Sequence, residues 1–175
     1  SRAEDLLRRL EKIIRDSLRH LREVLKRLER IIDELRKTNE RVKEELERII
    51  DTLRKLKDNG VDKRRLEDEL RKVDERIKRI HKKTVEDLER VLKEVEDVAR
   101  ENKKRNDEVL KEVEDGGLPE EILRRARELV DESRRRLEKV VKEVRDVIRT
   151  LKKDSDKSLR DLEEEVRKAE EDLRK

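Results

Sequence analysis

Asp16, Ser17 and His20 lie within five positions of one another. A carboxylate, a hydroxyl and an imidazole are the groups that serve as orienter, nucleophile and general base in acyl transfer. A second histidine, His81, makes a shared metal ion the next question. Two basic runs, Lys103-Lys104-Arg105 and Arg134-Arg135-Arg136, have the charge to meet phosphates.

Each of these chemistries meets an obstacle elsewhere in the chain. Ser17 belongs to an apolar helix face, where packing against other helices leaves no substrate access and no oxyanion donors. Metal ligands must converge on one point. If the chain folds back at its glycines, His81 lies level with residue 38, roughly 27 Å along a helix axis from His20. There is no cysteine to add a thiolate ligand. The basic runs have no aromatic residue beside them for base stacking, and their neighbours include acids, so they read as solvated helix faces. Gly60, Gly116 and Gly117 sit in turns rather than in a phosphate-cradling loop. We therefore expect no catalytic residue, no metal, no cofactor and no nucleic-acid partner.

The chain that must position these residues is 58% charged and 31% hydrophobic over 175 residues, with no aromatic residue, methionine or cysteine. Such charge can accompany disorder. Here the apolar residues recur at helical spacing, which instead indicates long amphipathic helices. The net charge is +4 and both signs are interleaved throughout, a mixture that favours solubility. No apolar run approaches the length of a membrane span, so we expect no membrane partner.

A nine-residue phrase recurs every 18 positions: EKIIRDSLR at 11–19, ERIIDELRK at 29–37 and ERIIDTLRK at 47–55. Eighteen residues are about five turns of an α-helix, so equivalent positions return to one face. The middle third repeats likewise, with RKVDERIKR at 71–79, ERVLKEVED at 89–97 and DEVLKEVED at 107–115. Ser1 with Glu4 forms a capping box. Asp58-Asn59-Gly60 stops the first helix, Asp62 caps the second behind a Val61 staple, and Gly116-Gly117 stop that one. Pro119 suits the first helical position of the third helix. The reading is an all-α, single-chain, up-down-up three-helix bundle, one domain over 1–175, with nearly straight, coiled-coil-like helices at about 2–58, 63–115 and 119–174. On the third helix the apolar stripe is taken to include Val140, Val144, Val147 and Ile148.

Polar residues interrupt the stripes. Residues at one level should have numbers adding to about 119 across the first turn and about 235 across the second. Ser17 with Asn102, and Asn102 with Ser133, meet those conditions. So do Thr38 with His81, and, within one residue, Asn39 with His81 and His81 with Ser155. We expect one buried layer of Ser17, His20, Asn102 and Ser133, extended by Asn106, and a second of Thr38, Asn39, His81, Thr84 and Ser155. An unpaired buried polar group costs about 1–3 kcal/mol, so such residues group until satisfied. A polar layer fits one register and one helix arrangement, which makes specificity its expected purpose.

The idealised repeats ERIIDELRK and DEVLKEVED, the capped turns DNGVD and DGGLPEE, and Asn, His, Ser and Thr set in an aliphatic core carry a resemblance over all 175 residues. The chain resembles computationally designed de novo helical bundles with buried hydrogen-bond networks. That resemblance implies high stability and no native activity. No partner is required on this reading, and a monomer is expected. The alternative is a module that accepts a partner helix or self-associates, since the first helix carries the larger set of apolar residues.

Overall fold

A computed structural model describes all residues, Ser1–Lys175. It contains three α-helices and no strand: α1 (Arg2–Asp58), α2 (Lys63–Asp115) and α3 (Glu120–Arg174). The chain is an all-α three-helix bundle.

The helix ends follow from local chemistry. Ser1 Oγ accepts from the Glu4 amide at 3.4 Å, while the Glu4 carboxylate reaches back to within 3.7 Å of the Ser1 nitrogen. At the end of α1, Gly60 takes φ +80°. Its amide donates to the Lys57 carbonyl and the Val61 amide to the Leu56 carbonyl, each at 3.0 Å. Those two bonds make a Schellman stop, with Gly60 supplying the left-handed residue. Asp62 Oδ1 accepts from the Arg64 amide at 3.0 Å and caps α2.

The third helix begins one residue later than the proline suggests. The Pro119 carbonyl accepts from the amides of Ile122 and Leu123, at 3.0 and 3.2 Å. Pro119 thus holds the cap, whose carbonyl takes the first helical bond, and Glu120 is the first helical residue.

The chain packs as two compact units, each taking a segment from all three helices. The first comprises Ser1–Glu29 and Glu89–Ile148. Its α1 and α2 segments are antiparallel, because Arg9 pairs with Glu112, Ser17 with Asn102 and Arg27 with Glu94. Leu6, Leu10, Val109, Val113, Ala126 and Val130 form a buried apolar cluster there. The second unit comprises Arg30–Leu88 and Arg149–Lys175. Its core gathers Leu46, Leu53, Leu66, Leu70, Ile77 and Val166, among others, and Arg76 pairs with Glu45 across two helices.

One part of the α3 stripe departs from expectation. Val141 is buried, Val140 is half-buried and Val147 is 42% exposed. The face turned inward there therefore runs Leu137, Val141, Val144 and Ile148. Those residues keep the i, i+4, i+7 and i+11 spacing of one helix face, and Val147 lies about 100° off Ile148.

Candidate functional site

The first unit holds a connected polar cluster centred on Asn102. Asn102 Nδ2 donates to Ser17 Oγ at 2.8 Å, joining α2 to α1. Asn102 Oδ1 accepts from Ser133 Oγ on α3 at 3.1 Å and from Asn106 Nδ2 at 2.9 Å. Asn102, Asn106 and Ser133 are buried, and Ser17 is half-buried. One amide thus links all three helices, its oxygen accepting with both lone pairs. The two amide orientations are coupled, because turning Asn106 over alone would press two carbonyl oxygens together. Asn106 Oδ1 is buried without any partner.

His20 does not join this cluster. It is exposed, and its ring makes no hydrogen bond. Three residues of helix carry it about 60° round from Ser17, enough to leave the half-buried edge for solvent. The trio Asp16, Ser17 and His20 is therefore not a relay: the Asp16 carboxylate pairs with Arg19 instead, at 3.3 Å.

A relay of the same three residue types forms in the second unit, from residues distant in sequence. His81 Nδ1 lies 2.9 Å from Ser155 Oγ, and His81 Nε2 lies 3.0 Å from Asp156 Oδ1. A carboxylate can only accept, so neutral His81 donates from Nε2 to Asp156 and accepts at Nδ1 from the Ser155 hydroxyl. Asp156 escaped the sequence reading because it is an exposed residue on a charged face. Its adjacency to Ser155 was the available signal.

The rest of the expected second layer is not bonded to this pair. Thr84 Oγ1 donates to its own helix, to the Ile80 carbonyl at 3.0 Å, a local bond that competes with any cross-helix one. Thr38 and Asn39 are half-buried and make no side-chain hydrogen bond. Asn39, Thr84, Ser155, Ser158 and His81 instead line a small void of about 20 Å³. A single water needs about 10–15 Å³ by this measure, so the space beside the Ser155 hydroxyl is of the order of one water rather than a substrate. Ser155 itself is 7% exposed. The relay has nucleophile, base and orienter, and no room for an acyl donor.

No group of three or more His, Cys, Asp or Glu side chains is placed to hold a metal ion. No helix is long and apolar enough to cross a membrane. The basic runs lie on exposed helix faces, where Arg105 pairs with Glu101 at 3.0 Å and Arg136 with Glu132 at 2.7 Å.

No protein-family model matches the chain, and no curated protein matches it in sequence. Among solved structures, it is similar to one described as a computationally designed three helix bundle, at 17% identity and a TM-score of 0.42. That match covers 98% of this chain and 85% of the other. The fold assignment rests on the three helices themselves.

Proposed function

We propose that the chain is a designed structural scaffold without a native biochemical activity, whose polar core residues specify helix register. The observation that carries this reading is the Asn102 amide, which bonds one residue of α1 and one of α3 from its place on α2. Sliding α1 or α3 by one turn, about 5.4 Å, would break one of those bonds, and sliding α2 would break both, leaving polar groups unpaired in the core. An aliphatic residue at 102 would impose no such penalty on a slipped register. The regular 18-residue spacing of the repeats and the restriction of the apolar core to Leu, Ile, Val and Ala support a sequence chosen for packing.

The test replaces Asn102 and Asn106 by Leu together and follows register by disulfide trapping between cysteine pairs placed at native and one-turn-shifted levels. Trapping only at native levels in both proteins would defeat the specificity reading. Trapping at shifted levels only in the variant supports it.

We propose further that the protein is a monomer. Val147 is the one exposed large hydrophobic residue, which leaves little apolar surface asking for cover. The competing module, accepting a helix or a second copy, draws on the half-buried Ile13, Ile14, Ile31, Ile32, Ile49 and Ile50 of α1. Light scattering coupled to size exclusion separates the two. A mass of 21.3 kDa supports the scaffold, and a multiple of it supports assembly.

A further inference from the structure

The outward face of α1 carries two rows of exposed charge, most of it unpaired within the chain. In the first unit, Arg8, Lys12, Arg15, Arg19, Arg22 and Lys26 follow one another every three or four residues. At about 3.6 residues per turn they fall within an arc of about 80°, and no acid between them enters that arc. It lies on the side away from the buried Leu10, Leu21, Val24 and Leu28. Arg19 pairs with Asp16 at 3.3 Å and Arg8 reaches Asp5 only at 4.0 Å. Lys12, Arg15, Arg22 and Lys26 are exposed and make no ion pair.

In the second unit the same helix carries the opposite sign. Glu40, Glu44, Glu47, Asp51 and Asp58 are exposed and make no ion pair. They share an arc of about 60°, which no Lys or Arg between them enters. The two rows match when one is read backwards. From Arg8 the steps to Arg15, Arg19, Arg22 and Lys26 are 7, 4, 3 and 4 residues. From Asp58 back to Asp51, Glu47, Glu44 and Glu40 the steps are the same. Antiparallel α1 helices from two copies therefore bring each of these five cations level with an acid, Arg8 with Asp58 and Arg15 with Asp51 among them. The pairing is its own reverse, so a two-fold axis uses both rows of both copies. Two contacts oppose it: Lys12 comes within one residue of level with Lys55, and Asp33 meets its own copy at the axis.

We infer that α1 is a self-recognition surface, along which two copies associate antiparallel at low ionic strength, the cationic row of each against the acidic row of the other. The matched spacing favours a second copy over a nucleic acid, which would answer only the cationic row. The facing rows contain no apolar residue, and exposed ion pairs are individually weak and screened by salt. The association is therefore absent at physiological salt, where the monomer proposed above stands.

Sedimentation velocity of the intact chain is run at about 0.01 M and about 0.15 M salt, between which the screening length falls from about 30 to about 8 Å. The expected mass is twice 21.3 kDa at the lower salt and 21.3 kDa at the higher. Arg15→Glu with Arg22→Glu should abolish the low-salt dimer, and so should Glu44→Arg with Asp51→Arg. An equimolar mixture of those two variants should restore it as a heterodimer, because every reversed charge then meets a reversed partner. Asp33→Asn removes the repulsion at the axis and should tighten the dimer about twofold to threefold. Circular dichroism checks that each variant stays helical. A parent that is monomeric at both salts overturns this inference alone, whereas a dimer that persists at the higher salt overturns the monomer proposal as well. A low-salt dimer indifferent to either double variant, or a mixture that stays monomeric, would also sink the α1 pairing.

Discussion

Asn102 on α2 and Ser17 on α1 are joined by a 2.8 Å hydrogen bond, 85 positions apart in sequence. The same amide receives Ser133 and Asn106 at its oxygen, so removing it strands three polar groups at once. Asn102→Ala should destabilise the protein by about 2–4 kcal/mol, from unpaired groups and the small void together. Replacing Asn102, Asn106, Ser17 and Ser133 together by aliphatic residues of similar volume should cost far less, and can stabilise. Chemical denaturation of the two proteins checks the order. A single variant milder than the quadruple one would remove the network from the stability account.

His81 should be locked in one neutral tautomer. With Asp156 accepting at Nε2 and Ser155 donating to Nδ1, the ring carries its proton on Nε2. Ring 15N shifts at a pH where the imidazole is neutral should show a single protonated Nε2. Ser155→Ala should leave that assignment intact, while Asp156→Ala should let the two tautomers mix.

Near the end of α3, Arg167 donates to Glu164 and holds its carboxyl below the usual carboxylate range, with Lys168 adding a smaller attraction. A carboxyl lowered in the folded state contributes stability above its unfolded pKa of about 4.3 and loses it as the pH falls through the folded value. Arg167→Ala should therefore raise the Glu164 midpoint and remove that part of the acid sensitivity. Carboxyl NMR titration reads the midpoint directly. An unmoved midpoint would show that the pair does not persist in solution.

Gly60 sits at φ +80° with nothing within 4 Å of where a Cβ would stand. A substitution there meets backbone strain and no clash. Gly60→Ala should cost about 1 kcal/mol, and Gly60→Asn less, because Asn tolerates the left-handed region better. Thermal melts of the pair test the ranking.

Much of the architecture was legible in the chain because helix formation is local. The 18-residue repeats, the capping groups of Ser1 and Asp62 and the stop at Gly60 act over a few residues, so α1 and α2 ended where those signals stood. Pro119 was legible as a start signal, and its place in the cap was settled by a carbonyl bond that composition cannot show.

The polar residues were legible only in part. Level-matching brought Ser17, Asn102 and Ser133 together, since it needs only the rise per residue and the turn positions. Level says nothing about direction around a helix. His20 shares a level with Ser17's neighbours yet faces solvent, and Thr84 turned to its own backbone.

By itself, then, the sequence determined three helices, the caps at Ser1 and Asp62 and the stop at Gly60, because those depend on neighbours within one or two turns. It also determined the level shared by Ser17, Asn102 and Ser133, from the rise per residue and the turn positions. Which nitrogen of His81 faces Ser155, that Asp156 joins it, and that Asn106 Oδ1 is left without a donor were decided only by tertiary packing. Hydrogen bonds demand an approach near 3 Å and a particular direction, and both are set by how side chains from different helices crowd one another.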